Sequence, residues 1–193
     1  MTSHLKHPKA NLKAAEQAIS GMEQAASFEQ YETEWREFLG HIEKAWIKTE
    51  RACGQYRAKF QPWQGKFQSL RKKDMLLRYL KAARDADNHS IQELARIEEG
   101  HRSINFANPM GGYIENLTIL NGEIVEYSGS PLVVTDHPDR FIALPVKNHG
   151  DWYNPPTSHL GKTIVNAHPI ELARMGLAFY EKYVDEVEQT FFS

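Results

Sequence analysis

Six large apolar residues, Phe28, Tyr31, Trp35, Phe38, Ile42 and Trp46, recur every three or four positions. Only a helix gathers that spacing onto one side. Ser27 with Gln30 forms a capping-box pattern at its start, so the sequence predicts a long amphipathic helix from there to about Cys53-Gly54. A face this apolar needs other helices to cover it. His7-Pro8 opens one that carries Leu12, Ala15, Ile19 and Met22. After a linker expected around Gln61-Pro62-Trp63, another carries Phe67, Leu70, Leu77 and Leu80 towards Arg84. From Pro169 a last helix aligns Ile170, Ala173, Leu177, Tyr180, Val184, Val187 and Phe191.

The texture changes near Asn108 to Gly, Pro and β-branched residues. Asn121-Gly122, between YIENLTIL and EIVEYS, is a strong hairpin signal. PLVVT and RFIALPV, joined through Asp136-His-Pro-Asp139, predict a second antiparallel pair. The expected fold class is therefore mostly α (α+β): a four- to five-helix bundle from about 8–105 and 168–193, with an antiparallel β-hairpin pair inserted at about 110–147. With 193 residues and 41% hydrophobic content, one domain spanning 1–193 can bury a sizeable core. The single cysteine, Cys53, excludes an internal disulfide and reads as a small core hydrophobe. No apolar run approaches membrane-spanning length and the N-terminus lacks a signal-peptide core, so a cytoplasmic protein with no membrane partner is expected.

The formal net charge of −2 conceals strong sorting along the chain. Between Arg57 and Arg84 there are nine basic residues, Lys66, Arg71, Lys72, Lys73, Arg78 and Lys81 among them, against Asp74 alone. Phe60, Trp63, Phe67 and Tyr79 are interleaved with these cations. Single-stranded nucleic acid uses that mixture for backbone attraction and base stacking; a solvated helix face with its aromatics in the core gives the same pattern.

Three arginines precede a histidine by five positions: Arg36/His41, Arg84/His89 and Arg96/His101. Arg36 has Glu29, Glu32 and Glu43 at helical spacing, and Arg96 has Gln92, Glu93 and Glu99, so both are expected on solvated faces. Arg84 instead continues the stripe of Leu77 and Leu80, and a guanidinium there needs a partner. Five residues of continuous helix would turn Arg84 and His89 about 140° apart. A second capping box, Ser90 to Glu93, predicts a break between them and a fresh short helix ending near Gly100. The break would let the two side chains converge and aim a helix N-terminus, favourable to phosphate, beside His89.

A helix ending in Arg, followed by Asp and then by His, R84-D-A-D-N-H89, resembles the Arg-x4-6-His motif of the HEPN superfamily. The resemblance covers residues about 65 to 100 and the bundle context. It implies a helical bundle, a homodimer with the motif at the interface, and a metal-independent endoribonuclease or RNA-binding protein acting on single-stranded RNA. Arg84 would clamp the scissile phosphate, His89 would act as general acid or base on the ribose 2′-hydroxyl, and Asp85 would orient one of them. No cofactor or metal is implied, and a cognate antitoxin or regulatory protein is a further partner in such systems. The alternative is a non-catalytic module of the same fold that binds a protein or nucleotide. RNA carries its own nucleophile, so one base and one bidentate phosphate clamp suffice without a metal. Gly161-Lys162-Thr163 lacks the glycine-rich lead-in of a phosphate loop, and the NPPTSHLG segment reads as a structural connection.

Overall fold

The computed structural model describes residues 4–89 and 92–193, and of residues 88 and 89 only the backbone. The chain is α+β, with five α-helices and short antiparallel strand pairs among the described residues. It divides into two compact units, one of residues 1–97 and 141–193 and the other Glu98–Arg140.

In the first unit α1 (Lys6–Gln24) and α2 (Phe28–Ala52) form a hairpin. Ser27 caps α2 as its sequence requires, its Oγ accepting from the Gln30 amide at 3.2 Å while the Gln30 side chain accepts from Ala26. The apolar stripe of α2 is buried, with Tyr31, Trp35 and Phe38 wholly inaccessible. α5 (Pro169–Phe191) covers it from the other side and places Tyr183 on Trp46, ring centres 4.4 Å apart.

The tract read as one helix after a linker is two helices with no linker at Pro62. α3 (Arg57–Lys73) contains Pro62 in its interior, and α4 (Met75–His89) begins after a single joint at Asp74. The hydrogen bond that Pro62 forfeits is offset by packing on the same helix, where Phe60, Trp63 and Phe67 interlock with Phe191 and Tyr183. Asp74 ends α3 and caps α4, accepting from the Leu77 amide at 3.1 Å.

α4 runs without interruption through Arg84 to His89, so the break expected between those residues is not there. The helix expected from Ser90 to Gly100 is also absent where the chain is described: Gln92–Leu94 has no regular structure and Ala95–Glu98 is strand β1. Ser90 itself lies outside the described residues. β2 (His101–Phe106) explains the difference, because Arg102, Ile104 and Phe106 alternate with Ser103 and Asn105 in the period of a strand. β1 and β2 then claim the partners the sequence had paired with each other. β2 pairs with β5 (Leu132–His137), and β1 pairs with β6 (Arg140–Ala143).

In the second unit, β3 (Ile114–Leu120) and β4 (Glu123–Gly129) form the hairpin signalled by Asn121-Gly122, which turns with both residues at positive φ, 50° and 82°. Back in the first unit, β7 (Val146–Asn148) and β8 (Asp151–Tyr153) form a second tight hairpin whose turn, His149-Gly150, likewise has both residues at positive φ, 50° and 92°. This hairpin packs on α4. β9 (Ser158–His159) and β10 (Lys162–Thr163) follow, and the Leu160 amide and His159 Nδ1 both reach the Asp74 carboxylate, at 2.7 and 2.9 Å.

Candidate nucleic-acid interface

The exposed side of α4, the end of α3 and the β7–β8 hairpin enclose a groove of about 270 Å³, lined by Arg71, Lys72, Arg78, Lys81, Asp85, His149 and Tyr153 among others. Helical spacing explains most of it: Arg78, Lys81 and Asp85 stand at i, i+3 and i+7 of α4, on one face, while Leu76, Leu77 and Leu80 turn into the core. Lys72 adds a cation from the last turn of α3, and Arg78 lies over the Tyr153 ring at 5.6 Å. Positive charge thus outweighs the single carboxylate, as an anion requires.

That carboxylate is bridged. Lys81 Nζ donates to one oxygen of Asp85 at 2.5 Å and Arg84 Nη1 to the other at 3.1 Å. Burial would raise the Asp85 pKa, but these two cations hold it below the usual carboxylate range, so Asp85 is ionised and fixes the Arg84 guanidinium beside the groove. Arg84 and Asp85 are thus an ion pair of neighbours on α4, a contact that a purely structural salt bridge would make equally. His89 stands one helical turn beyond Asp85 in the backbone of α4, and about 140° around the axis from Arg84; its side chain lies outside the described residues.

The other cations divide. Lys72, Lys73, Arg78 and Lys81 are exposed. Lys66 is exposed but paired with Glu186 at 2.7 Å. Arg71 needs correction as a surface phosphate ligand: only 8% of it is accessible, and its guanidinium donates to Glu43 and to Tyr180 while resting on the Trp46 ring. Its charge is committed to the core, although its edge reaches the groove wall. The aromatics of the basic tract are likewise core residues. Phe60, Phe67 and Tyr79 are buried, and the Tyr79 hydroxyl donates to the Leu144 carbonyl at 2.7 Å.

Of the two look-alike pairs, Arg96 is exposed, though on a strand. Arg36 is not the surface residue its acidic neighbours suggested. It is half-buried and donates to Asp87, to Glu32 at 3.0 Å and to the Gln92 carbonyl at 2.7 Å, tying α2 to the chain that follows α4.

A larger concavity of about 370 Å³ lies between α2 and α3, beside Glu50, Cys53 and Gln64. Its central amide is already satisfied, with Gln64 donating to Glu50 and Tyr183 and accepting from Gln68, and burial pushes the Cys53 thiol up to about 11. It offers no activated nucleophile, and its lining sets Arg51 and Arg57 against Glu50, a smaller positive excess than Lys72, Arg78 and Lys81 give the groove along α4, so that groove is the better candidate. Among the described residues no cluster of three or more His, Cys, Asp or Glu side chains is arranged to hold a metal ion, and no helix is long and apolar enough to cross a membrane.

Sequence reasoning missed the hairpin that closes the groove and brings Asn148, His149 and Tyr153 to it. The available signal was Asn148-His149-Gly150-Asp151 between Val146 and Tyr153, a glycine-containing turn between short apolar strands. Comparison with protein-family models, with curated proteins and with solved structures returns no match.

Proposed function

We propose that this chain is a HEPN-like RNA-binding protein that holds the backbone of single-stranded RNA in the groove along α4, and that it acts there as a metal-independent endoribonuclease. The observation that carries the reading is the groove itself: exposed Lys72, Arg78 and Lys81 converge beside an ionised Asp85 that positions Arg84. Phosphate is the anion such a cluster of one lysine pair and one planar guanidinium suits.

In the catalytic step the ribose 2′-oxygen attacks the adjacent phosphorus, the bond to the 5′-oxygen breaks, and a 2′,3′-cyclic phosphate remains. His89 takes the proton from the 2′-hydroxyl, solvent water protonates the departing 5′-oxygen, and Arg84 balances charge on the phosphoryl oxygens. Because Arg84 and His89 occupy positions about 140° apart around one helix, a homodimer that apposes two motifs supplies clamp and base from different copies.

The test is cleavage of single-stranded RNA in the presence of a chelator. Arg84→Ala and His89→Ala should each abolish cyclic-phosphate products while leaving the fold intact, and mixing the two variants should restore part of the activity. His149→Ala is the comparison, since His149 lines the groove: cleavage that survives His89→Ala and disappears with His149→Ala would reassign the base. RNA binding without cleavage by any preparation would leave a non-catalytic binding module.

A further inference from the structure

A phosphate groove alone does not distinguish single-stranded RNA from duplex, and the buried aromatics of α3 and α4 cannot stack on a base. The β7–β8 hairpin carries one that can. Trp152 is 64% accessible and lines a hollow of about 150 Å³ together with Met75, Arg78, Tyr79, Tyr153 and Asn154. Arg78 and Tyr153 line both this hollow and the cationic groove, so the two adjoin.

We propose that Trp152 and the hollow beside it take an unpaired nucleobase whose phosphate lies in the neighbouring groove, making single-stranded RNA the ligand and the β7–β8 hairpin its base-reading element. This rests on the reading of the groove as an RNA site. An indole offers its face to any base and needs no sequence-specific hydrogen bonds, which suits a single-strand platform. Lys147, the register partner of Trp152, has its ammonium 5.9 Å from the ring centre and adds a cation on the hairpin side. Arg78 at the boundary can serve both neighbours, its charge facing phosphate and its plane facing a ring. Asn154 supplies an amide with a donor and an acceptor for a base edge. Tyr79 only floors the hollow, because it is buried and its hydroxyl is held by the Leu144 carbonyl. A base pair in a duplex hides both faces in its stack and cannot enter, so the hollow selects against double strands.

The experiment measures binding of a short oligouridine, of a duplex RNA and of an abasic ribose-phosphate oligomer to the full chain and to Trp152→Ala and Trp152→Phe. Trp152→Ala should weaken oligouridine binding about five- to a hundredfold without changing its salt dependence. Trp152→Phe should recover most of the loss, and the abasic oligomer should bind the unsubstituted protein no better than oligouridine binds Trp152→Ala. The abasic measurement keeps the test decisive should the alanine variant misfold. If the unsubstituted protein binds all three nucleic acids equally, or if abasic and base-bearing oligomers bind alike, the base platform is wrong while the phosphate groove stands. If it binds no RNA at low salt, both fail.

Discussion

Arg71 lies with its guanidinium carbon 4.2 Å from the centre of the Trp46 ring while donating to Glu43 on the same helix as that tryptophan. Burial would lower its pKa, but Tyr180 and Glu43 hold it raised, so a charged pair is sealed between α2, α3 and α5. Removing one member of such a pair strands the other. Arg71→Met and Glu43→Gln should each cost about 3–5 kcal/mol of stability in denaturant unfolding, whereas Lys72→Glu, one position on, should stay within about 0.5 kcal/mol. Equal effects at 71 and 72 would mean that Arg71 is not a core residue.

Asp74 should contribute to the acid limb of stability. Burial would raise its pKa, yet hydrogen bonds from the Leu160 amide, His159 and the Leu77 amide hold it below the ordinary carboxylate value. A carboxyl depressed in the folded state contributes stability that is full above the unfolded value near 4 and is lost as pH falls through the folded one. Asp74→Asn should therefore lower stability at neutral pH and flatten the decline below about pH 4; an unchanged acid limb would place the acid-labile groups elsewhere.

His168 gives the complementary case near neutrality. Burial lowers its pKa, outweighing Glu171, and its ring stands edge-on to Tyr31 and Phe141. The neutral form is favoured in the folded state, so its contribution is present above the unfolded value near 6.5 and declines as pH falls below it. His168→Phe should remove that slope below about pH 6.5, measured by thermal unfolding in matched buffers.

Arg36 should matter more than an exposed ion pair. Its three acceptors include the Gln92 carbonyl, and Glu32 also accepts from the Leu94 amide at 3.1 Å. Arg36→Ala should cost about 1.5–3 kcal/mol and speed hydrogen exchange at Leu94, while Arg96→Ala leaves both unchanged.

Much of the bundle was legible in the sequence because its helices bury strict three-four stripes, as α2 does from Tyr31 to Trp46, and because Ser27 announces its own helix. The failures have local causes. Pro62 reads as a breaker, and only tertiary packing of its aromatic neighbours keeps α3 intact. Ser90-x-x-Glu93 has the form of a cap, but the alternation that follows in β2 belongs to a strand, and pairing at long sequence separation decides such cases. In the groove the basic tract was visible as charge. That Arg71 turns inward while Lys72 turns outward depends on Glu43 and Tyr180, which lie 28 and 109 positions away. Trp152 escaped notice because its value comes from standing next to Arg78, a proximity that only the folded β7–β8 hairpin creates.

The most direct measurement of the account is the affinity of the full chain for single-stranded RNA as a function of salt, compared between the unsubstituted protein and Lys72→Glu. Binding should weaken steeply from low to moderate salt, and the variant should bind more weakly with a slope smaller by about one, since counterion release counts the phosphates neutralised. No binding at low salt, or binding whose strength and salt slope are untouched by Lys72→Glu, would contradict the assignment of the α4 groove as the RNA site.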